Sequence, residues 1–114
     1  MQRSDLLQKH CVPCEGSEAP FDAAKIEVYL PSLSLPWTVI EGKKISHEFV
    51  FKNFPEAVGF IDRIVPVAES EGHHPDIHVY YNKVVIELWT HAIGGLSEND
   101  FIMAVRIESL ASQH

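Results

Sequence analysis

Two stretches decide the fold: KISHEFVF at residues 44–51 and VVIELWTH at residues 84–91. In each of them the side chains of successive residues point to opposite sides, and one side is largely apolar or aromatic, as in a β-strand with one buried face. A turn sequence precedes each stretch, at residues 41–43 and at residues 82–83. Each stretch is therefore predicted to be the second strand of a hairpin, paired with residues 36–40 and 77–81 respectively.

Helical segments surround these hairpins. The segment between Asn53 and Gly72 carries apolar side chains at three- and four-residue spacing, with Asn53 as the predicted N-cap and Gly72 as the predicted stop. Pro66 lies inside it and lacks a backbone donor, so we expect a kink there. Further helices are predicted over residues 21–30, capped by Asp22, and after Ser97.

The predicted order is helix, two strands, helix, two strands, helix. Two hairpins with amphipathic helices indicate a two-layer α+β fold in which one sheet face packs on the helices. Residues 21–114 are predicted to form this single domain. Residues 1–20 show no hydrophobic period and are expected to be an irregular N-terminal segment.

Charge and composition narrow the classes of function. The 114 residues carry a formal net charge of -7, which repels phosphate backbones and argues against a nucleic-acid binder. No apolar run is long enough to span a membrane, and no signal-like segment follows the first residue. We therefore expect a cytoplasmic protein that binds neither nucleic acid nor membrane.

Two cysteines, Cys11 and Cys14, lie in the N-terminal segment. A structural zinc site needs four ligands, and the sequence has no second cysteine pair. A redox motif of this spacing normally follows a strand, and none is predicted before Cys11. Reduced thiols without a metal are the expectation.

The most unusual motif is Glu69-x-x-x-His73-His74-Pro75, at the junction between a helix and a strand. Loops at such junctions hold functional groups on a rigid scaffold. Imidazoles titrate near neutral pH, so adjacent histidines suit proton transfer. Pro75 restricts His74 to extended conformations. If the helical turn persists, Glu69 faces His73 and can orient or charge its imidazole.

A second group of polar residues follows the last predicted strand. Thr90 and His91 end that strand, and Asp100 lies in the first turn of the last helix. We expect this strand end, this helix start and the histidine pair to converge on one pocket. Asp100 also has a structural interpretation, because Ser97-x-x-Asp100 resembles a capping box.

Taken with their spacing, these motifs resemble those of the pterin-4a-carbinolamine dehydratase family. The resemblance includes Tyr81-Asn82-Lys83-Val84 and Gly95-Leu96-Ser97, and it extends over residues 35–110. It implies a four-stranded antiparallel sheet with helices on one face. It also implies dehydration of 4a-hydroxytetrahydrobiopterin, or a related pterin, to the quinonoid dihydropterin during recycling of the pterin. No metal and no redox cofactor are implied, and the expected assembly is a homodimer or homotetramer.

The resemblance also assigns roles to residues. By position, the family's active-site histidines correspond to His73, His74 and His91, and their supporting residues to Glu69, Pro75, Thr90 and Asp100. Our hypothesis is that His73 and His91 transfer protons while His74 binds and orients the pterin. Glu69 is expected to tune His73, and Asp100 to support His91. Which histidine is the acid and which is the base stays open.

Two other classes of function are compatible with parts of the sequence. One is a non-catalytic binding or regulatory module, a dimerisation partner or coactivator, as in animal members of the family that bind a homeodomain-type transcription factor. The other is a metal-dependent hydrolase that uses His73, His74, His78 and His91 as ligands. Adjacent histidines seldom ligate one ion together, and no His-Glu-x-x-His motif is present. Retention of all three family histidines favours catalysis.

Overall fold

The computed structural model describes residues 2–13, 16 and 18–112. Within these residues four strands form one antiparallel sheet: β1 (Thr38–Ile40), β2 (Lys44–Val50), β3 (Asp76–Tyr80) and β4 (Lys83–Leu88). Their spatial order is β1-β2-β4-β3, so each hairpin contributes one central strand. The two alternating stretches pair with each other at the centre of the sheet, which confirms the predicted antiparallel α+β class.

The described chain also forms four α-helices: α1 (Arg3–Leu7), α2 (Ala23–Tyr29), α3 (Phe54–Glu71) and α4 (Glu98–Ala111). Both α3 and α4 pack against β4, and they also contact each other. The core lies between them and the sheet, where Phe60 of α3 meets Phe49 of β2 at a ring-centroid distance of 5.0 Å. None of the described helices combines the length and apolar character needed to cross a membrane.

The long helix α3 begins and ends where its caps predict. The side-chain oxygen of Asn53 accepts a hydrogen bond from the backbone N–H of Glu56 at 3.0 Å. Gly72 adopts the left-handed conformation, with φ 64°, and ends the helix. The helix is continuous through Pro66. Because α3 ends at Glu71, the motif begins with Glu69 in the last turn of the helix and places His73 and His74 just beyond its C-terminus.

Replacing Asn53 by alanine is expected to lower the free energy of unfolding by about 1 kcal/mol, because the first turn of α3 loses its side-chain acceptor. Urea denaturation of wild type and variant measures this loss. Asn53→Asp keeps an acceptor and is the matched control, with stability close to wild type. Equal stability of Asn53→Ala and wild type would contradict the assigned cap.

The end of β4 corrects the predicted strand boundary. Pairing stops at Leu88, and His91 is the first residue of a 3-10 turn that spans His91–Ile93. The reason is local: the backbone N–H of Thr90 donates to the carbonyl oxygen of Gly95 at 2.8 Å, so the chain folds back on its own loop. His91 therefore projects from a turn, and not from the end of a strand.

The N-terminal segment, expected to be irregular over residues 1–20, differs from that prediction at α1. This short helix packs on α4, and its Leu6 is fully buried in the core. Arg3 forms an ion pair with the buried carboxylate of Glu108. Five helical residues are too few to show a hydrophobic period in the sequence. Packing against the rest of the protein therefore stabilises this helix.

Candidate active site

An open cleft of about 610 Å³ lies between the C-terminus of α3, the loop that leads to β3 and the turn after β4. It is lined by six of the residues predicted for the site: Glu69, His73, His74, Pro75, Thr90 and His91. Asp100 lies behind this lining, where its side chain contacts two of these residues. The structure thus brings the two predicted groups of polar residues together.

His73 and Asp100 form the buried part of the site. The Nε2 atom of His73 lies 2.7 Å from Oδ1 of Asp100, and the Asp100 side chain is 0% exposed. An ionised carboxylate only accepts hydrogen bonds, so His73 donates through Nε2. This contact leaves Nδ1 as the ring nitrogen that is not engaged with Asp100.

The two carboxylate oxygens of Asp100 have different partners. While Oδ1 contacts His73, Oδ2 accepts hydrogen bonds from the hydroxyl of Thr90 at 2.8 Å and from the backbone N–H of Ser97 at 2.9 Å. The contact with Ser97 caps α4, as the capping-box interpretation predicted. Asp100 therefore caps α4 and also contacts His73. The cap holds the carboxylate in place for His73.

His74 and Glu69 form an exposed pair at the mouth of the cleft. Nε2 of His74 lies 2.5 Å from Oε2 of Glu69, and their side chains are 60% and 70% exposed. Exposed ion pairs contribute little to stability. This contact orients the His74 ring at the edge of the cleft.

These contacts correct two predicted pairings. Glu69 was expected to tune His73, but it pairs with His74; Asp100 was expected to support His91, but it pairs with His73. The left-handed conformation of Gly72 is the physical reason, because it ends the helical register in which Glu69 and His73 would share a face. The chain then turns His73 towards α4.

His91 is positioned by an aromatic neighbour. Its ring stacks on Trp89, with centroids 3.9 Å apart and planes inclined by 26°. The indole N–H of Trp89 donates to Oδ2 of Asp76 at 3.0 Å, which fixes the indole in turn. Trp89 also lines the cleft.

Three residues of the N-terminal segment line the same cleft, and the sequence did not indicate them: Cys11, Val12 and Pro13. Burial and the neighbouring Glu71 raise the pKa of the Cys11 thiol to about 12, so it stays protonated at neutral pH. Cys14 lies outside the described residues. In the part of the chain that the structure describes, no group of three or more His, Cys, Asp or Glu side chains is placed to hold a metal ion.

The fold and the cleft together define a small α+β protein with a histidine-lined site suited to acid–base chemistry. The sequence model of the family pterin 4 alpha carbinolamine dehydratase matches residues 19–110, and the chain belongs to this family. A relative from Chlorobaculum tepidum, described as a candidate pterin-4-alpha-carbinolamine dehydratase, is 43% identical over an aligned length of 110 residues, and the match covers 94% of this chain and 98% of the relative.

Two solved structures share the fold. A protein from Brucella melitensis, described as a transcriptional coactivator/pterin dehydratase, superimposes with a TM-score of 0.75 at 31% identity and covers 81% of this chain and 98% of its own. A pterin dehydratase-like protein identified as a RuBisCO assembly factor in the alpha-carboxysome gives a TM-score of 0.61 at 23% identity, covering 71% and 95%. The second likeness concerns the fold alone.

Proposed function

We propose that this protein dehydrates 4a-hydroxytetrahydrobiopterin, or a related pterin, to the quinonoid dihydropterin and so takes part in recycling a pterin cofactor. The observation that carries the proposal is the convergence of His73, His74 and His91 on one cleft. The buried carboxylate of Asp100 is hydrogen-bonded to His73. Membership of the dehydratase family supports the same reaction.

The reaction requires two proton movements on one edge of the pterin. The 4a-hydroxyl is a poor leaving group until an acid protonates it, and the adjacent ring nitrogen must lose a proton as the new double bond forms. An acid and a base that are held beside the pterin can make both proton transfers without waiting for an acid or base from solution, which raises the rate. Because only protons and water are exchanged, the proposed reaction needs no redox cofactor.

The geometry supports separate roles for the histidines. His73, fixed through Nε2 by Asp100, and His91, stacked on Trp89, are held in defined orientations and are proposed to transfer the protons. His74 is more exposed and is proposed to bind and orient the pterin, with Glu69 fixing its ring. Which of His73 and His91 is the acid and which is the base stays open.

The test is the decay of freshly generated 4a-hydroxytetrahydropterin, followed by stopped-flow absorbance with and without the protein. The substrate also dehydrates spontaneously, so the expected result is a rate above the uncatalysed background that increases in proportion to protein concentration. A correctly folded protein that leaves the background rate unchanged would overturn the proposal.

A non-catalytic binding role is the second candidate. It is favoured by the Brucella melitensis structure, whose description names a transcriptional coactivator beside a pterin dehydratase. A protein with the binding role alone would show no catalysed decay in the same assay. The two candidates are therefore separated by one measurement.

A further inference from the structure

We propose that Cys11, Val12 and Pro13 form an apolar wall of the pterin site that sets the affinity for the pterin and takes no part in proton transfer. They belong to residues 8–13, here called the N-terminal strap. This inference rests on the proposed function, because the strap borders the same cleft as the three histidines. Its Val12 is 66% exposed at that cleft. Contact with a bound ligand would remove this apolar surface from water.

The strap is tied to the C-terminus of α3 through Glu71. Oε1 of this carboxylate accepts a hydrogen bond from the backbone N–H of Cys11 at 2.7 Å, and Oε2 lies 2.8 Å from Nδ1 of His10. The Glu71 side chain is only 5% exposed. Glu71 precedes His73 by two residues, so the same helix end holds both the strap and a proposed catalytic histidine.

A second tie joins the strap to the N-terminus of α4. The side-chain amide of Asn99 accepts from the backbone N–H of Val12 at 3.0 Å and donates to the backbone carbonyl of Val12 at 2.7 Å. Asn99 immediately precedes Asp100, the carboxylate that holds His73. Lys9 adds an ion pair with Glu98 in the same helical turn, at 3.0 Å.

The strap itself presents neutral side chains to the cleft, and the charge beside them belongs to Glu71 of α3. Burial opposes ionisation of Glu71, but the hydrogen bonds from His10 and from the Cys11 backbone outweigh it and lower the pKa of that carboxyl. The thiol of Cys11 remains neutral beside it. A neutral thiol, a valine and a proline therefore line the cleft together with the three imidazoles, which suits a flat heterocycle with polar edges.

Four variants test the apolar wall and its tie through Glu71. Val12→Ser makes the exposed wall residue polar without disturbing the core. Glu71→Ala removes the acceptor for the Cys11 N–H, whereas Glu71→Gln keeps an acceptor and removes only the charge. Gln8→Ala, an exposed strap residue outside the cleft lining, is the matched control.

The experiment measures two quantities for each variant: the Kd for 7,8-dihydrobiopterin, a stable pterin without the 4a-hydroxyl, and the kcat and KM of dehydration. For Val12→Ser and Glu71→Ala we expect Kd and KM to rise roughly tenfold while kcat stays within about twofold of wild type, as for a lost interaction that is equally strong in ground and transition states. Glu71→Gln and Gln8→Ala are expected to behave like wild type.

Unchanged Kd in both Val12→Ser and Glu71→Ala would overturn the inference and leave the proposed function standing. A fall in kcat at constant KM would also overturn it, because the strap would then act on the chemical step. If wild type binds dihydrobiopterin without accelerating dehydration, the proposed function fails while the Kd series still decides the role of the strap. If wild type neither binds this pterin nor accelerates dehydration, both fail.

Discussion

Replacing His73 by alanine is expected to lower the catalysed rate of dehydration by at least about 10²-fold, the usual contribution of a positioned acid or base. His73 is the imidazole whose orientation is fixed by a fully buried carboxylate, at 2.7 Å. The alanine variant keeps the Thr90 and Ser97 contacts to Asp100, so α4 remains capped. Stopped-flow decay of the 4a-hydroxytetrahydropterin, corrected for the spontaneous reaction, measures the effect.

The matched control is His78→Ala. His78 is an exposed histidine of β3, 3.6 Å from Glu87, and it is not part of the cleft lining. Its removal is expected to leave turnover within about twofold of wild type, since it is not placed to transfer a proton to the ligand. Turnover of His73→Ala equal to that of His78→Ala would contradict the role assigned to His73.

Replacing Glu108 by alanine is expected to cost about 3 kcal/mol of folding free energy, because buried donors lose their acceptor. The Glu108 side chain is 1% exposed. It accepts hydrogen bonds from the backbone N–H groups of Ser34 and Leu35, at 3.1 and 2.9 Å, and from the indole of Trp37 at 2.9 Å. It thus ties the chain before β1 to α4, and Arg3 joins α1 to the same carboxylate.

Urea denaturation of Glu108→Ala and of Glu27→Ala tests this expectation. Glu27 is an exposed glutamate of α2, so its replacement is expected to change stability by no more than about 0.5 kcal/mol. Equal stability of the two variants would show that the Glu108 contacts contribute nothing to folding.

The same carboxylate predicts a pH dependence of stability. Burial opposes ionisation of Glu108, but the hydrogen bonds from Trp37, Ser34, Arg3 and Leu35 outweigh it and hold its pKa below the ordinary value of 4.5. A group whose folded pKa is lowered stabilises the protein above its unfolded pKa, and that stability is lost as pH falls through the folded pKa. The Tm of wild type is therefore expected to fall more steeply below pH 4.5 than that of Glu108→Ala. Parallel Tm profiles would contradict this.

The sheet could be predicted from the sequence because its two central strands carry the alternation themselves. Ile45 and Phe49 of β2 pair with Leu88 and Val84 of β4, and all four are buried. The end of β4 could not be predicted, since the bond from Thr90 to Gly95 is a loop contact that leaves no periodic signal. The caps at Asn53 and Gly72 were visible because their chemistry is local.

The members of the candidate site could be predicted more fully than their partners. Residue type and spacing indicated the histidines and carboxylates, but the pairing of His73 with Asp100 depends on the backbone conformation of Gly72. The strap was missed for a related reason. Its ties to Glu71 and Asn99 join residues 60 and 87 positions apart, and no local pattern encodes such contacts.

One cleft with three histidines is proposed to bind the pterin. The most direct measurement is an NMR titration of the imidazole nitrogens of the uniformly 15N-labelled protein with 7,8-dihydrobiopterin. We expect saturable shifts of the His73, His74 and His91 signals, while those of His47 and His78, which lie outside the cleft lining, stay in place. Saturable binding that leaves the three cleft histidines unshifted would contradict it.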